Sequence, residues 1–349
     1  MVDTEFMRTN TFYPEVALLQ LCFEPGDDAT AWLIDPLELT DTEALVQLFL
    51  DPSILKVLHS PSEDMEVFRR WLGVLPTPLF DTQRAAALLD RGFGLGYRAL
   101  VHDICGVDLP KGETRSNWLQ RPLTQSQCDY AAQDVTWLYP VWQTLYDECQ
   151  HSAKLDWVLA DGEALSTAGE VQPERAYLRV KGAGKLDRRS LAGLQTLCEW
   201  REQTARLRNR PRNWILDDKS CLQLAQQRPA DMGALRACVE LPKPVLRRHG
   251  EEIVAALSQV DGLPEADLPA ALARPLDSAQ RDVLKKLKGQ AKVIAAQLQA
   301  APEVLLPSKD YELLVRESAG QPVEQPAHWQ GWREEQVLAP LRKSLQGDS

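Results

Sequence analysis

A tyrosine and an aspartate stand four residues apart in the stretch 123–135, which contains neither glycine nor proline. Thr124 can cap a helix in this stretch, and Gln127 at its third position completes the pattern of a capping box. On that helix the side chains of Tyr130 and Asp134 lie on one face. A phenol and a carboxylate directed at one point suit chemistry with a metal ion and a water molecule, but one carboxylate needs partners to hold a metal.

Three further acids can supply those partners. Asp3 and Glu5 alternate along a predicted strand, so both point to the same side. Asp64 falls in or just after the first turn of a predicted helix, for which Ser60 is the expected N-cap and Pro61 the first helical residue. Carboxylate oxygens are hard ligands that suit Mg²⁺ or Mn²⁺. The sequence therefore offers four acids and one tyrosine for a metal site.

The order of these residues, D-x-E followed by a helical Asp and then Y-x-x-x-D, resembles the DEDD exonucleases of the tyrosine subclass. Within these exonucleases, the sequence most resembles the bacterial ribonuclease D family. Four segments carry this resemblance: 3–8, 34–36, 62–68 and 118–123. Each segment alone is a weak signal, but the four follow one another at the spacing of the family.

The resemblance assigns the catalytic role to Asp3, Glu5, Asp64, Tyr130 and Asp134. The four acids would bind two divalent metal ions, Mg²⁺ or Mn²⁺, with Asp3 bridging both. The two metals would clamp the attacking water and the leaving 3′ oxygen. Tyr130 would orient the water, because a phenol with a pKa near ~10 is a poor base. The implied reaction is 3′→5′ exonucleolysis that releases 5′-mononucleotides.

The substrates that the resemblance implies are structured RNAs with short 3′ tails, notably tRNA precursors. Two alternatives stay open at this stage. One is a DEDD exonuclease that acts on DNA, since selectivity for the 2′-hydroxyl cannot be identified in the sequence. The other is a non-catalytic RNA-binding relative, against which the presence of all five catalytic residue types argues.

The composition is that of an ordinary globular protein of 349 residues, with room for two or three domains. There is no apolar run of the ~20 residues that a membrane span needs and no signal peptide, so no membrane partner is expected. The seven cysteines are scattered and form no C-x-x-C pair, which argues against a zinc ribbon or a disulfide framework. We expect a cytoplasmic protein that works as a monomer.

The net charge of −11 gives little general attraction for phosphates, but basic residues are clustered. Lys111, Arg115 and Trp118 lie in a polar loop before the catalytic helix, where two cations and an aromatic ring could hold phosphates and stack a base. The alternative is that Trp118 packs under the helix. A second candidate RNA contact is a cluster of five arginines: Arg201, Arg206, Arg208, Arg210 and Arg212. The alternative is that these arginines form an ordinary solvated helix face.

Residues 2–150 alternate predicted strands and helices, which indicates a mixed sheet with flanking helices, the ribonuclease H-like fold that the resemblance implies. The expected strands are 16–23, 31–35, 56–59 and 79–82, with helices at 42–50 and 84–90 and a turn at 24–28. Gly92–Gly96 is interpreted as a turn, because it follows a helix and lacks the G-x-G-x-x-G spacing of a dinucleotide loop.

After residue 150 the composition changes. Residues 151–186 are interpreted as a linker, and the helical segment 187–262 resembles an HRDC domain. A more diverged HRDC-like domain is expected at 275–345. Two pairs of segments indicate this duplication: 215–224 with 305–314, and 250–257 with 331–338.

One feature departs from the family pattern. Only two residues precede Asp3, whereas the family has a helix and a full apolar strand before the D-x-E motif. We therefore expect a shortened first strand. Fraying at such a strand would displace Asp3 and weaken metal binding.

Overall fold

The computed structural model describes residues 1–24 and 30–346, which separate into two units. The first unit contains Met1–Met7, Pro14–Ala168 and Leu276–Ser349, and the second contains Arg8–Tyr13 and Gly169–Pro275. The turn predicted at 24–28 lies, apart from Glu24, outside the described residues. Each unit is treated separately below.

The described strands of the first unit are β1 (Val2–Met7), β2 (Glu15–Cys22), β3 (Ala31–Ile34), β4 (Lys56–Leu58) and β5 (Leu79–Asp81). They show both kinds of pairing. An antiparallel set has the order β1–β2–β3, and a parallel pair consists of β4 and β5. Strand β1 lies next to β4. This confirms the mixed sheet predicted for a ribonuclease H-like exonuclease domain.

The first strand is firmly paired, although so few residues precede its acids. Val2 is opposite Leu21 and Asp3 is opposite Gln20 in the antiparallel ladder. The ammonium group of Met1 donates a hydrogen bond of 2.7 Å to the carbonyl of Cys22. Asp3 is therefore held within a strand of six residues, in contrast to the displacement expected from a frayed end.

Seven helices accompany the described strands in the first 168 residues. Their bounds are α1 (Glu43–Leu50), α2 (Ser62–Trp71), α3 (Thr82–Leu88), α4 (Tyr97–Cys105), α5 (Gln125–Thr136), α6 (Leu138–His151) and α7 (Leu155–Thr167). The capping box predicted for α5 is confirmed: the Thr124 hydroxyl accepts from the Gln127 amide, and the Gln127 side chain accepts from the Thr124 amide.

The start of α2 differs from the prediction. The helix begins at Ser62 after Pro61, and Ser60 makes no cap, because its backbone is left-handed with φ of 56°. The amide of Ser60 instead donates to the carboxylate of Asp81 at 2.9 Å. This bond fixes the chain at the end of β4, so Asp64 still falls in the first turn of α2.

The segment expected to be a linker begins with a packed helix. On α7, Gly162 passes so close to β5 that a Cβ atom would lie 2.0 Å from the carbonyl oxygen of Leu79. Asp161 beside it is buried and paired with Arg84 and Arg333. Residues 155–167 therefore belong to the core of the first unit.

The C-terminal helices are part of the first unit and share its core. The indole of Trp332 stacks on that of Trp157, with ring centroids 4.6 Å apart. The segment 275–345, expected to form a domain of its own, thus packs with the exonuclease segment. Its helices are α13 (Ser278–Leu298), α14 (Pro302–Leu305), α15 (Ser308–Ser318) and α16 (Ala339–Gln346).

The second unit is helical, as expected for an HRDC domain. Its core is formed by apolar side chains from all but the shortest helix and from the 3₁₀ turns at 173–179 and 183–185. The helices are α8 (Arg188–Arg208), α9 (Arg212–Ile215), α10 (Asp218–Gln227), α11 (Met232–Cys238) and α12 (Lys243–Asp261).

The first two helices of each predicted copy have similar lengths and ends, which supports the predicted internal duplication. Helices α8 and α13 both have 21 residues and both end at a left-handed residue, Asn209 and Gln299. The short α9 ends at Ile215 and the short α14 at Leu305, the first residues of the paired segments 215–224 and 305–314. This pair of segments therefore marks the same position in two copies of one helical pattern.

Two further observations bear on the class of protein. Within the described ranges, no helix combines the length and the apolar character needed to cross a membrane. All seven cysteines have free thiols.

Candidate active site

The predicted metal ligands converge on one point of the first unit. Strand β1 places Asp3 and Glu5 on the same side, and α5 brings Asp134 to them. Ligand oxygens of these three carboxylates all lie within 4.8 Å of one another. The alternation along β1 and the position of Asp134 on α5 together create a group that could hold a cation.

Asp64 joins this group from the first turn of α2. It is buried, and the hydroxyl of Thr4 on β1 donates a hydrogen bond to its carboxylate. Its charge acts on both acids of β1, since it raises the pKa of Asp3 and of Glu5. The structure therefore brings all four predicted acids together, with Asp64 just outside the 4.8 Å group.

Burial raises the pKa values of all four acids, and repulsion by the other acids raises those of Asp3 and Glu5 further. Burial raises the pKa of Asp3 well above its usual range, and the charges of Asp64, Asp134 and Glu5 raise it further. Burial, with Asp134 and Asp64, raises the pKa of Glu5 to about 9. Burial likewise raises the pKa of Asp64 to about 6 and that of Asp134 to about 7. Such a set of acids is costly without a compensating positive charge, as expected of metal ligands.

Tyr130 is held beside Asp134, to which its hydroxyl is hydrogen-bonded. Burial and the nearby carboxylates raise the pKa of this phenol, so it stays protonated at neutral pH. Its ring is confined on one side by the backbone of Gly112, where a Cβ atom would lie 2.0 Å from Cδ2 of the ring. The ring of Trp118 is a second neighbour, and its centroid lies 6.0 Å from that of the Tyr130 ring.

Two further residues of this region, Gln20 and Tyr97, were not predicted from the sequence. Gln20 stands directly across the ladder from Asp3, is fully buried, and has no hydrogen-bond partner for either side-chain atom among the described residues. Tyr97 on α4 donates a 2.9 Å hydrogen bond to the carbonyl of Gln133 on α5. Cross-strand pairing could have identified Gln20 once the register was known, whereas no local signal marks Tyr97.

The polar loop before α5 is only partly what the sequence suggested. Lys111 and Arg115 are exposed. Trp118 is 2% exposed and packs against Ala17, Leu18 and Ala131, so the prediction that it stacks a base is wrong. Its ring is covered by β2 and α5, which is the packing alternative stated above.

In the second unit, the prediction that Arg201 contacts RNA is wrong. Arg201 is 4% exposed and its guanidinium donates to the carbonyl of Leu216 at 2.9 Å and to Asp218 at 2.7 Å. Arg206 is half-buried and pairs with two acids, Glu202 on α8 itself and Glu170. Contacts with residues 170, 216 and 218 hold α8 to other segments of the second unit. Arg208 is exposed, and its contact with RNA stays a prediction.

Comparison with known proteins supports the assignment of both segments. Residues 1–150 match the family described as 3′-5′ exonuclease, and residues 190–257 match the HRDC domain family. The chain is 41% identical over 348 residues to ribonuclease D of Pseudomonas paraeruginosa, with 99% of this chain and 91% of the relative covered. The chain belongs to the ribonuclease D family.

Two further ribonuclease D comparisons agree. Ribonuclease D of Escherichia coli is 35% identical over 360 residues, covering 99% of this chain and 92% of the relative. The crystal structure of E. coli RNase D superimposes with a TM-score of 0.90 at 34% identity, covering 99% of this chain and 92% of that chain. The ribonuclease D family consists of metal-dependent 3′-5′ exoribonucleases, and the four convergent acids fit a divalent cation.

Proposed function

We propose that this member of the ribonuclease D family removes 5′-mononucleotides from the 3′ ends of structured RNA, such as tRNA precursors, by two-metal hydrolysis. The observation that carries the proposal is the group formed by Asp3, Glu5 and Asp134, whose ligand oxygens lie within 4.8 Å of one another. Asp64 and Tyr130 adjoin this group in the same unit. Its E. coli relative is described as an exoribonuclease involved in structured RNA processing.

The four acids would hold the metals, Mg²⁺ or Mn²⁺. When bound, two such ions supply a water of lowered pKa and stabilise the charge on the leaving 3′ oxygen. Burial raises the pKa of Asp64 to about 6 and that of Asp134 to about 7, because a buried negative charge is unfavourable in this site. Binding of cations would offset that cost and leave the carboxylates ionised at neutral pH.

Tyr130 would orient the attacking water. Its phenol is protonated at neutral pH and donates a hydrogen bond to the carboxylate of Asp134. A protonated phenol can position a water but cannot remove its proton. Hydrolysis then joins the water oxygen to phosphorus and breaks the bond from phosphorus to the 3′ oxygen, which leaves as the new 3′-hydroxyl of the shortened RNA.

The exposed basic residues Lys111, Arg115 and Arg208 are proposed as RNA contacts. The first two lie on the loop that carries Gly112, the residue packed on the ring of Tyr130. Cations there could hold phosphates close to the catalytic tyrosine. No second copy of the chain is needed to complete the carboxylate group, and we propose that the protein acts as a monomer in the cytoplasm.

The experiment is an assay with a 3′-tailed tRNA transcript, a single-stranded RNA and a DNA of the same sequence, each with Mg²⁺, Mn²⁺ or EDTA. We expect shortening from the 3′ end with mononucleotide products in either metal and none in EDTA. Asp134→Asn should abolish activity. Asp129→Asn, an exposed acid on the same helix α5, is the matched control and should be fully active.

The same assay separates the alternatives. Cleavage of DNA as fast as RNA would favour a DNA exonuclease of the same superfamily. Tight RNA binding without product in either metal would favour a non-catalytic RNA-binding relative.

A further inference from the structure

An open cleft of about 450 Å³ lies in the second unit, between the short segment 8–13 and the turn that follows α8. This volume is within the range of small-ligand sites. None of the described residues that line it is acidic. The lining residues are Arg8, Thr9, Thr11, Phe12, Pro211, Arg212, Asn213 and Trp214.

The walls of the cleft are fixed to each other by hydrogen bonds. Asn209 ends α8 in the left-handed conformation, with φ of 45°, and its side-chain oxygen accepts from the amides of Phe12 and Tyr13, both at 3.0 Å. Arg210 donates to the carbonyl of Asn10 at 3.2 Å. Asparagine suits this position because it tolerates positive φ and carries an acceptor. The cleft is thus preorganised.

The chemistry of the cleft matches a nucleotide. Trp214 is 57% exposed, a large aromatic surface left in contact with water. Arg8 is exposed at the other wall, and the guanidinium of Arg212 lies over the ring of Phe12 at 4.4 Å while it pairs with Glu202. An exposed ring for stacking beside cations for phosphates is the usual arrangement for single-stranded nucleic acid.

A short stretch of chain joins Arg8 to the strand that carries Asp3 and Glu5. Arg8 follows Glu5 by three residues, so the Cα atoms of the two are at most about 11 Å apart.

We infer that this cleft binds the single-stranded 3′ tail of the RNA substrate upstream of the nucleotide being removed, with Trp214 stacking on a base and Arg8 contacting a phosphate. The inference rests on the proposed function, since it assumes that RNA is the substrate. It assigns a tail-binding role to residues that the arginine cluster alone did not identify.

The test measures binding of a labelled single-stranded oligoribonucleotide by full-length protein carrying Asp134→Asn, so that the RNA is not degraded. In that background Trp214→Ala should weaken binding about 5- to 150-fold, the range of one base stacked on an aromatic ring. Trp214→Phe keeps a ring and should retain most of the affinity. Arg8→Ala should reduce the salt dependence of binding by about 0.7 in log–log slope.

Trp32→Ala is the matched control, because Trp32 is 58% exposed on β3. Equal affinity of Trp214→Ala and Trp32→Ala would overturn the inference, as would equal loss in Trp214→Phe and Trp214→Ala. Metal-dependent release of mononucleotides by the unmodified enzyme tests the proposed function separately. An active enzyme whose affinity does not depend on Trp214 would refute only the tail-binding role.

Discussion

Tyr130 and Asp134 lie one helical turn apart on α5 and have different proposed roles. Both side chains lie on one face of α5, but Asp134 belongs to the metal group whereas Tyr130 stands beside it as a protonated phenol. The hydrogen bond between them couples the metal ligand to the group that would orient the water. In the proposed mechanism Asp134 is therefore a metal ligand and Tyr130 a residue that positions the water.

The loss of the phenol oxygen should therefore slow the reaction without removing the metals. We expect Tyr130→Phe to lower kcat by roughly 10²-fold, the lower end of the effects of positioned proton-handling groups. Mn²⁺ binding measured by calorimetry should be nearly unchanged. Tyr139→Phe, on helix α6, is the control and should have normal kcat. A Tyr130→Phe enzyme with normal kcat would show that water needs no orientation by this residue.

The acids of the site make metal-free stability depend on pH. Folding raises the pKa of Asp64 to about 6, of Asp134 to about 7 and of Glu5 to about 9. Between the unfolded values near ~4 and these values the folded state binds more protons than the unfolded state, so the free energy of unfolding falls as pH rises. The contribution of these acids to stability is fully present only at acidic pH, below their unfolded pKa values.

Thermal unfolding in EDTA and in Mn²⁺ at pH 5 and pH 8 measures this effect. We expect the metal to raise Tm more at pH 8 than at pH 5, because at pH 8 Asp64 and Asp134 are ionised and the cation compensates their buried negative charges. Glu5→Gln should reduce the loss of Tm between pH 5 and pH 8 in EDTA. An equal metal-induced shift at both pH values would contradict the raised pKa values.

Among the structural elements, the loop before α5 confines the ring of Tyr130. Gly112 touches the face of the Tyr130 ring, and no side chain fits between them. The loop is thus a support for the active site in addition to carrying the exposed Lys111 and Arg115. Glycine is required here by close approach and not by a left-handed backbone, since no positive φ occurs at this position.

Addition of a methyl group at this contact should displace Tyr130. We expect Gly112→Ala to lower kcat about ten-fold or more, with a loss of stability of about 1–3 kcal/mol from overpacking. Gly96→Ala is the matched control, because a Cβ there meets no atom within 4 Å and its φ is −71°. If Gly112→Ala had normal kcat, the ring of Tyr130 could not depend on this contact.

At the scale of the whole first unit, a buried ion group joins three distant parts of the chain. Asp161 on α7 pairs with Arg84 on α3 at 2.5 Å and with Arg333, ahead of α16, at 2.5 Å. Burial alone would raise the pKa of Asp161, but the hydrogen bond and charge of Arg333, with help from Arg84, lower it. The C-terminal helices are therefore tied to the exonuclease segment by charge as well as by apolar packing.

Removal of the acid would leave the buried guanidinium of Arg333 unpaired. We expect Asp161→Ala to reduce the free energy of unfolding by about 3–5 kcal/mol, measured by urea denaturation. Glu163→Ala, an exposed acid on the same helix, should change it by less than about 0.5 kcal/mol. Since the pKa of Asp161 is lowered in the folded state, its stabilisation is present above the unfolded pKa and is lost as pH falls through the folded value.

Features that depend on short-range periodicity could be predicted from the amino-acid sequence alone. Alternation along β1 put Asp3 and Glu5 on one side, and the capping box fixed where α5 begins and hence where Asp134 points. The duplicated segments 215–224 and 305–314 marked equivalent positions in two helical copies. These features follow from backbone geometry over a few residues, so they can be predicted from a single sequence.

The burial or exposure of individual side chains could not be predicted in the same way, because it follows from the folded chain. Trp118 and Arg201 are typical nucleic-acid contacts by type, yet packing buries both, while Trp214 and Arg8 stay accessible at one cleft. Helix α7 lies within the segment predicted to be a linker, and its place in the core depends on contacts of Gly162 and Asp161 with residues far away in the sequence. Burial is a property of contacts between residues far apart in sequence, and local patterns do not contain it.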